Sequence, residues 1–438
     1  MKELLVTAIE KHKAEIIDIG NTIFRNPELG FKEFGTAEKM TAYLNQIGIE
    51  VENEISVTGL RGMLGKAGIN ICLIAEMDAI PTFGHPFASK DQHAAHACAH
   101  SNQVAIMLGV MKAIAETGML EKTGGRITII GTPAEEFTDL EYRKTLVKAG
   151  QISYYSGKQD MISKGIFDDV DLVISCHSMG GVEGQKADVN ATLNGFISKQ
   201  IIYHGQTAHA GAQPHLGINA LNAATIGLSA VNAQRETFHE SYKIRVHAII
   251  KEGGETVNSI PGKVVLEAMV RGNSLEALVE ANYKVNRAFD AGAYAVGATC
   301  EIIDAVGFLP FHQCADLSAV VKQNLGTLIG EENIIDGFES TASGDIGDLS
   351  AILPTIQFGF SGFSGNIHGP NFCVVDEEMA YITPAKAIVM TLYDLLCDDA
   401  ALARKIIEDN PPSDTKAGYV ERWLKNGLLD MKLKSSLK

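Results

Sequence analysis

Ile71-Cys-Leu-Ile-Ala-Glu76-Met-Asp78-Ala-Ile-Pro81 is a short apolar run closed by two acids and a proline. A run of this length reads as a strand buried on both faces, as in a parallel sheet, with Asp78 presented at its carboxyl end. Three further stretches repeat the pattern. Arg126-Ile-Thr-Ile-Ile-Gly-Thr, introduced by Gly124-Gly125, ends in Pro133-Ala-Glu135-Glu136, and Asp171-Leu-Val-Ile-Ser-Cys176 ends in His177. Pro354-Thr-Ile-Gln-Phe-Gly-Phe leads through glycine-rich Ser361-Gly-Phe-Ser-Gly-Asn-Ile to His368. Sites of open α/β sheets form outside the carboxyl ends of the strands, where such residues converge. Polar residues also gather wherever strands meet solvent, but chance explains one such ending far more easily than four.

Between the first two strands lies His93-Ala-Ala-His96-Ala-Cys98-Ala-His100-Ser101. Alanine neighbours leave room for a bulky centre, and a C-x-H spacing in an extended segment points both side chains the same way. Thiolate sulfur and imidazole nitrogen together suit zinc or a similar borderline ion. A single cysteine or histidine is more often a structural residue. The clustering favours Cys98 and His100 as metal-capable, ahead of His93 and His96. The following Val104-Ala-Ile-Met-Leu-Gly-Val-Met-Lys-Ala-Ile is apolar nearly all round, a helix buried against a sheet.

A chain of 438 residues calls for two or three domains, and 46% hydrophobic with 21% charged residues is globular composition. A formal charge of -16 with no basic cluster argues against nucleic acid and anionic membrane as partners. Seven scattered cysteines do not form a disulfide framework, the start at Met1-Lys2-Glu3 lacks a secretion signal, and no apolar run nears twenty residues. The expectation is a cytoplasmic enzyme.

Outside these strands, 3–18 and 36–47 read as helices, 137–168 as polar helix and loop, and 383–397 and 400–408 as closing helices before a charged tail after Pro411-Pro412. The middle changes character. Strand Lys199–Gly205, helix Leu216–Phe238, alternating strands from Lys243 and Lys263, helix Leu275–Val296 and strand Thr299–Asp304 follow in that order. This is a ferredoxin-like split unit, an α+β domain over 192–305 inserted into an α/β domain made of 1–191 and 306–438.

Adjacent carboxylates at a strand end repel unless a cation separates their roles. One can bind metal while its neighbour takes and returns a proton, the division that metal-assisted hydrolysis requires. Cys98, His100, Glu136, His177 and His368 make five donors, more than one closed tetrahedral site uses. Five fit two ions with a shared ligand, a part the thiolate could take, and Asp78 could orient a ligand histidine.

Ala75-Glu-Met-Asp-Ala-Ile-Pro81, His96-Ala-Cys-Ala-His100, Pro133-Ala-Glu-Glu136, Cys176-His177, Gly205-Gln-Thr-Ala-His209-Ala, Val257-Asn258-Ser-Ile-Pro261 and His368-Gly-Pro370 stand in this order along nearly the whole chain. In order and content they resemble the metallo-amidohydrolase superfamily of aminoacylases and glutamate carboxypeptidases. The branch most resembled holds aminobenzoyl-glutamate hydrolases, hippurate hydrolases and auxin-conjugate amidohydrolases. The resemblance implies an exopeptidase-like catalytic domain, with a mixed, largely parallel sheet and helices on both faces, and an inserted domain serving as lid and dimer interface. It implies Cys98, His100, Glu136, His177 and His368 as ligands of one or two divalent ions, zinc or manganese, and Glu135 as general base toward a metal-bound water. Asp78 would support the ligands, His209 would stabilise the oxyanion, and Asn258 and Arg271 would contact substrate. The implied activity is hydrolysis of the amide bond of an N-acyl amino acid or dipeptide-like substrate by a homodimer. Ala99 stands where this branch carries glycine, and Ser101 where it carries an acid or amide. The link from Phe83 to Ala95 adds His85 and His93 near the mouth of the site.

Two other readings compete. A metal- or ligand-binding relative without activity would have no use for Glu135. A cysteine hydrolase with Cys98 as nucleophile would leave Glu136, His177 and His368 unexplained.

Overall fold

The computed structural model describes residues 1–180, 184 and 186–425, so the end of the charged tail lies outside the described residues. The chain divides into two compact units. The first comprises Met1–Thr192, His312–Glu339 and Asp348–Tyr419; the second comprises Leu193–Phe311, Ser340–Gly347 and the described residues 420–425.

The first unit is built on an eight-stranded mixed sheet. Its order is Val51–Ile55, Gly59–Ala67, Gly125–Thr132, Asn70–Glu76, Leu172–Ser178, Thr355–Phe360, Ala187–Val189 and Ile334–Asp336. The four central strands, Gly125–Thr132 through Thr355–Phe360, run parallel to one another. They are the apolar runs whose ends carry Glu135–Glu136, Asp78, His177 and, after a loop, His368. All seven residues of Asn70–Glu76 are buried, as a strand sandwiched between layers requires.

Helix His100–Thr117 buries residues around most of its circumference. One side packs on the Asn70–Glu76 strand, and the others meet the N-terminal helices and the long helix Thr383–Asp409. These elements share one apolar core. The opening helix breaks at His12, with φ of -99° and ψ of 10°, into Lys2–Lys11 and Lys13–Phe24. The Thr383–Asp409 helix departs from helical backbone at Cys397–Ala400. Among the described residues no helix is long and apolar enough to cross a membrane.

The second unit holds a four-stranded antiparallel sheet in the order Arg245–Glu252, Lys263–Gly272, Gly195–His204 and Thr299–Val306. Helices Ala220–Gln234 and Leu275–Val296 pack on each other and on this sheet, closing a separate core. The two helices come very close. A Cβ at Gly292 would stand 2.5 Å from the Ala223 carbonyl oxygen, so glycine is required at their crossing.

Candidate metal centre

At the carboxyl ends of the parallel strands, donor atoms of Cys98, His100 and His177 lie within 4.8 Å of one another. So do those of Cys98, Glu136 and His368, and those of His100, Glu135 and Glu136. The sulfur of Cys98 is common to the first two groups. Cys98 Sγ is 3.3 Å from His177 Nε2, and Glu136 Oε1 is 3.0 Å from His368 Nε2. All five donors expected of a metal site therefore gather in one place.

Each donor is aimed by its backbone surroundings. His100 Nδ1 donates to the Asp78 carbonyl oxygen at 2.8 Å, and His177 Nδ1 donates to the Ser178 carbonyl oxygen at 3.0 Å. Both imidazoles thereby turn Nε2 toward the cluster, the orientation that second partners impose on ligating histidines. The Asp78 carboxylate works on two neighbours. Its Oδ2 accepts from the Glu136 backbone N–H at 2.9 Å, and its Oδ1 lies 3.4 Å from His100 Nδ1. His368 has a left-handed backbone, with φ of 62°, and its N–H donates to the Ala97 carbonyl oxygen at 2.8 Å.

The local geometry of Cys98 and His100 differs from an extended segment. Ala99 adopts a left-handed conformation, with φ of 66°, and His100 opens the buried helix. This reversal, rather than strand alternation, brings the thiol and the imidazole together, and alanine gives no sequence signal for positive φ. Ser101 is fully buried in the first turn and forms no side-chain cap. His96 is buried too, but neither ring nitrogen finds a hydrogen-bond partner and it joins none of the donor groups; burial pushes it down to about 3. His93 stacks on Phe83 with ring centroids 4.0 Å apart, and His85 Nε2 donates to the Phe372 carbonyl oxygen at 3.0 Å.

Charge within the cluster is mutually supporting. Burial alone would push the Cys98 thiol up, yet His177 pulls it down to about 6. Burial likewise opposes charge on His177, which the Cys98 thiolate raises to about 9. His368 is raised to about 11 against burial by Cys98 and Glu136, and Glu136 is held below the usual carboxylate range despite burial by His368. Soft and hard donors packed this tightly, with His100 Nε2 buried and lacking a hydrogen-bond partner, suit divalent cations.

Sequence reasoning missed two buried cations beneath these residues. Lys158 is fully buried, with Nζ 2.6 Å from Glu76 Oε1, while Glu76 Oε2 faces His100 Nε2 at 3.4 Å. Arg143 is also fully buried under the Glu135–Glu136 turn. Both come from the polar 137–168 stretch, whose composition resembles solvated surface.

The other expected site residues belong to the second unit. His209 is exposed, and its Nδ1 accepts from the N–H groups of Gly211 and Ala212 at 3.1 and 3.0 Å, so Nε2 carries the proton. Asn258 is exposed, and its carbonyl oxygen accepts from the Ala210 N–H at 2.9 Å. Arg271 lies over the Phe196 ring and donates to Ser343 Oγ at 3.3 Å; burial lowers its pKa.

Comparison with known proteins agrees with this architecture. The mouse Xaa-Arg dipeptidase is 24% identical over 431 residues, covering 90% of each chain. An IAA-amino acid hydrolase of Arabidopsis thaliana is 24% identical, covering 86% of this chain and 85% of its own. A dinuclear metal-binding peptidase of the M20 family from Bacillus subtilis superposes with a TM-score of 0.67 at 19% identity, over 88% of this chain and 99% of that one. Residues 72–388 match the model of peptidase family M20/M25/M40. The chain therefore belongs to peptidase family M20/M25/M40, and is a hydrolase that acts on amide bonds.

Proposed function

We propose that this hydrolase cleaves the amide bond of an N-acyl amino acid or dipeptide-like substrate, with Glu135 as general base. The observation that carries this reading is the pair of donor groups sharing the Cys98 sulfur, with Glu135 in a third group beside them. Cys98, His100, Glu136, His177 and His368 would hold one or two divalent ions, zinc or manganese. Such ions polarise a carbonyl and acidify bound water toward neutral pH. Glu135 would take the proton of the attacking water and deliver it to the departing amine, which needs one carboxylate free of ligand duty. Asp78 would keep the Glu136 amide and the His100 ring in place.

The second unit would act as a ferredoxin-like lid spanning about 192–305. His209 presents a protonated Nε2, suited to an oxyanion, because its Nδ1 is already an acceptor. Asn258 and Arg271 would bind the substrate's polar end. A homodimer through this unit fits the exposure of Ile249 and Ile250 on its edge strand Arg245–Glu252. A cytoplasmic location completes the proposal.

The test is a panel of N-acyl amino acids and dipeptides assayed with metal-loaded enzyme and with Glu135→Gln. The expected loss in kcat is about 100- to 10,000-fold with metal content unchanged. Full turnover by Glu135→Gln would remove Glu135 from the mechanism, and inactivity of the wild type on the whole panel would favour a binding protein.

A further inference from the structure

The Glu135–Glu136 turn is tied down from both sides of Glu135. The Ala134 N–H donates to Glu33 Oε1 at 2.9 Å, and Thr58 Oγ1 anchors the other oxygen of that carboxylate at 2.5 Å. The Glu136 N–H donates to Asp78 Oδ2 at 2.9 Å. Both corresponding carbonyls go to one side chain: Arg143 donates through Nη1 to the Ala134 oxygen, at 3.4 Å, and through Nη2 to the Glu136 oxygen. Four backbone groups flanking Glu135 are thus claimed by two carboxylates and one guanidinium.

This arrangement is built into the surrounding sequence. Arg143 lies fully buried on the short helix Leu140–Lys148, and its guanidinium carbon stands 5.4 Å from the Phe31 ring centre and 5.9 Å from that of Phe137. Gly30 leaves the space it occupies, since a Cβ there would come within 2.7 Å of Arg143 Nη2 and 2.9 Å of Ala134 Cα. Ala134 is itself buried in a left-handed conformation, with φ of 55°. A non-glycine residue in that region costs about 1 kcal/mol or more and persists only where its surroundings enforce it. A planar fork holds two carbonyls in fixed, separated directions, whereas a lysine ammonium offers its donors from a single freely rotating point.

We propose that Arg143 is a positioning residue: by holding the carbonyls of Ala134 and Glu136 it fixes the direction of the Glu135 carboxylate, and so controls turnover without touching substrate. The inference rests on the reading of Glu135 as general base. The plainer role for Arg143 is to staple its own segment, because Nη1 also donates to the Tyr155 carbonyl oxygen. The two roles differ in what they predict. A staple changes stability and leaves each folded molecule equally active. A positioning group changes kcat, because misplacing a base by about 1 Å can cost on the order of 100-fold.

The experiment compares wild type, Arg143→Ala and Arg143→Lys, each loaded to equal metal content, on a substrate whose turnover depends on Glu135. Positioning predicts a fall in kcat of about 10- to 100-fold with KM within about threefold. It also predicts recovery of Arg143→Ala activity by added guanidinium at millimolar concentration, with no recovery by ammonium. Unchanged kcat in both variants, whatever their melting temperature, overturns the inference. If Arg143→Ala does not fold, Arg143→Lys decides alone, since it keeps the charge and loses the fork. Turnover that survives Glu135→Gln would instead defeat the underlying assignment, so the two failures are told apart.

Discussion

Replacing Lys158 by methionine should expose how strongly the buried Lys158–Glu76 pair stabilises the fold beneath the candidate metal centre. Both side chains are essentially inaccessible, with Nζ and Oε1 2.6 Å apart. Burial pushes the Glu76 carboxyl up, but Lys158, followed by His100 and His177, brings it from 4.5 to about 2. That difference corresponds to about 3 kcal/mol of stabilisation at neutral pH. Because the folded value is depressed, the contribution is complete above about pH 4.5 and is lost as pH falls toward 2. Lys158→Met leaves a buried carboxylate without its main counter-charge, a change that typically costs about 3 to 5 kcal/mol. Taking about 3 kcal/mol and about 2 °C per kcal/mol for a unit of this size, the melting temperature should fall by about 6 °C. Thermal and urea unfolding of metal-stripped protein at pH 7 measures this directly. The double variant Lys158→Met/Glu76→Met should recover most of the loss, since it removes both charges from the interior. A single variant within 1 °C of wild type, or a double variant no more stable than the single, would refute the reasoning.

Two further outcomes follow from the same geometry. Metal binding at pH 7.5 should release about three protons: despite burial, the Cys98 thiolate and nearby carboxylates hold His100 well above its ordinary value and raise His177 to about 9 and His368 to about 11, while Cys98, brought to about 6, is already ionised. Affinity should therefore rise with pH up to about 11, less steeply above about 9, and calorimetry giving the same heat in buffers of different ionisation enthalpy would contradict this. Ala99→Gly should stabilise by about 0.5 kcal/mol in denaturant unfolding, as relief of the left-handed strain at φ of 66° slightly exceeds glycine's entropic cost. A loss above 1 kcal/mol would show that the Ala99 methyl contributes packing instead.

The sequence made legible what depends on burial along a single element. Asp78, Glu135, Glu136 and His177 stand beside apolar runs, so the chain itself marks them as strand endings. The reversal at Ala99 was not legible, because its conformation is imposed by surrounding packing on a residue with no preference for it. Arg143 and Lys158 were equally hidden. A basic residue in a polar stretch reads as solvated, and only the carbonyls of the folded turn around Arg143 and the distant Glu76 carboxylate beside Lys158 turn the two inward. The division of the opening helix at His12 escaped notice because both halves carry the same apolar spacing.

The donors around the Cys98 sulfur span positions 98 to 368, and His368 follows the strand Thr355–Phe360 that completes the parallel core. During synthesis every residue through position 368 must therefore leave the ribosome before the last imidazole is available. Until then a growing chain offers a thiol, two rings and acidic groups as an unfinished chelate, open to whichever ion arrives first. On the proposed reading, final selection of a metal would belong to the end of folding, when docking of that late segment closes the donor set.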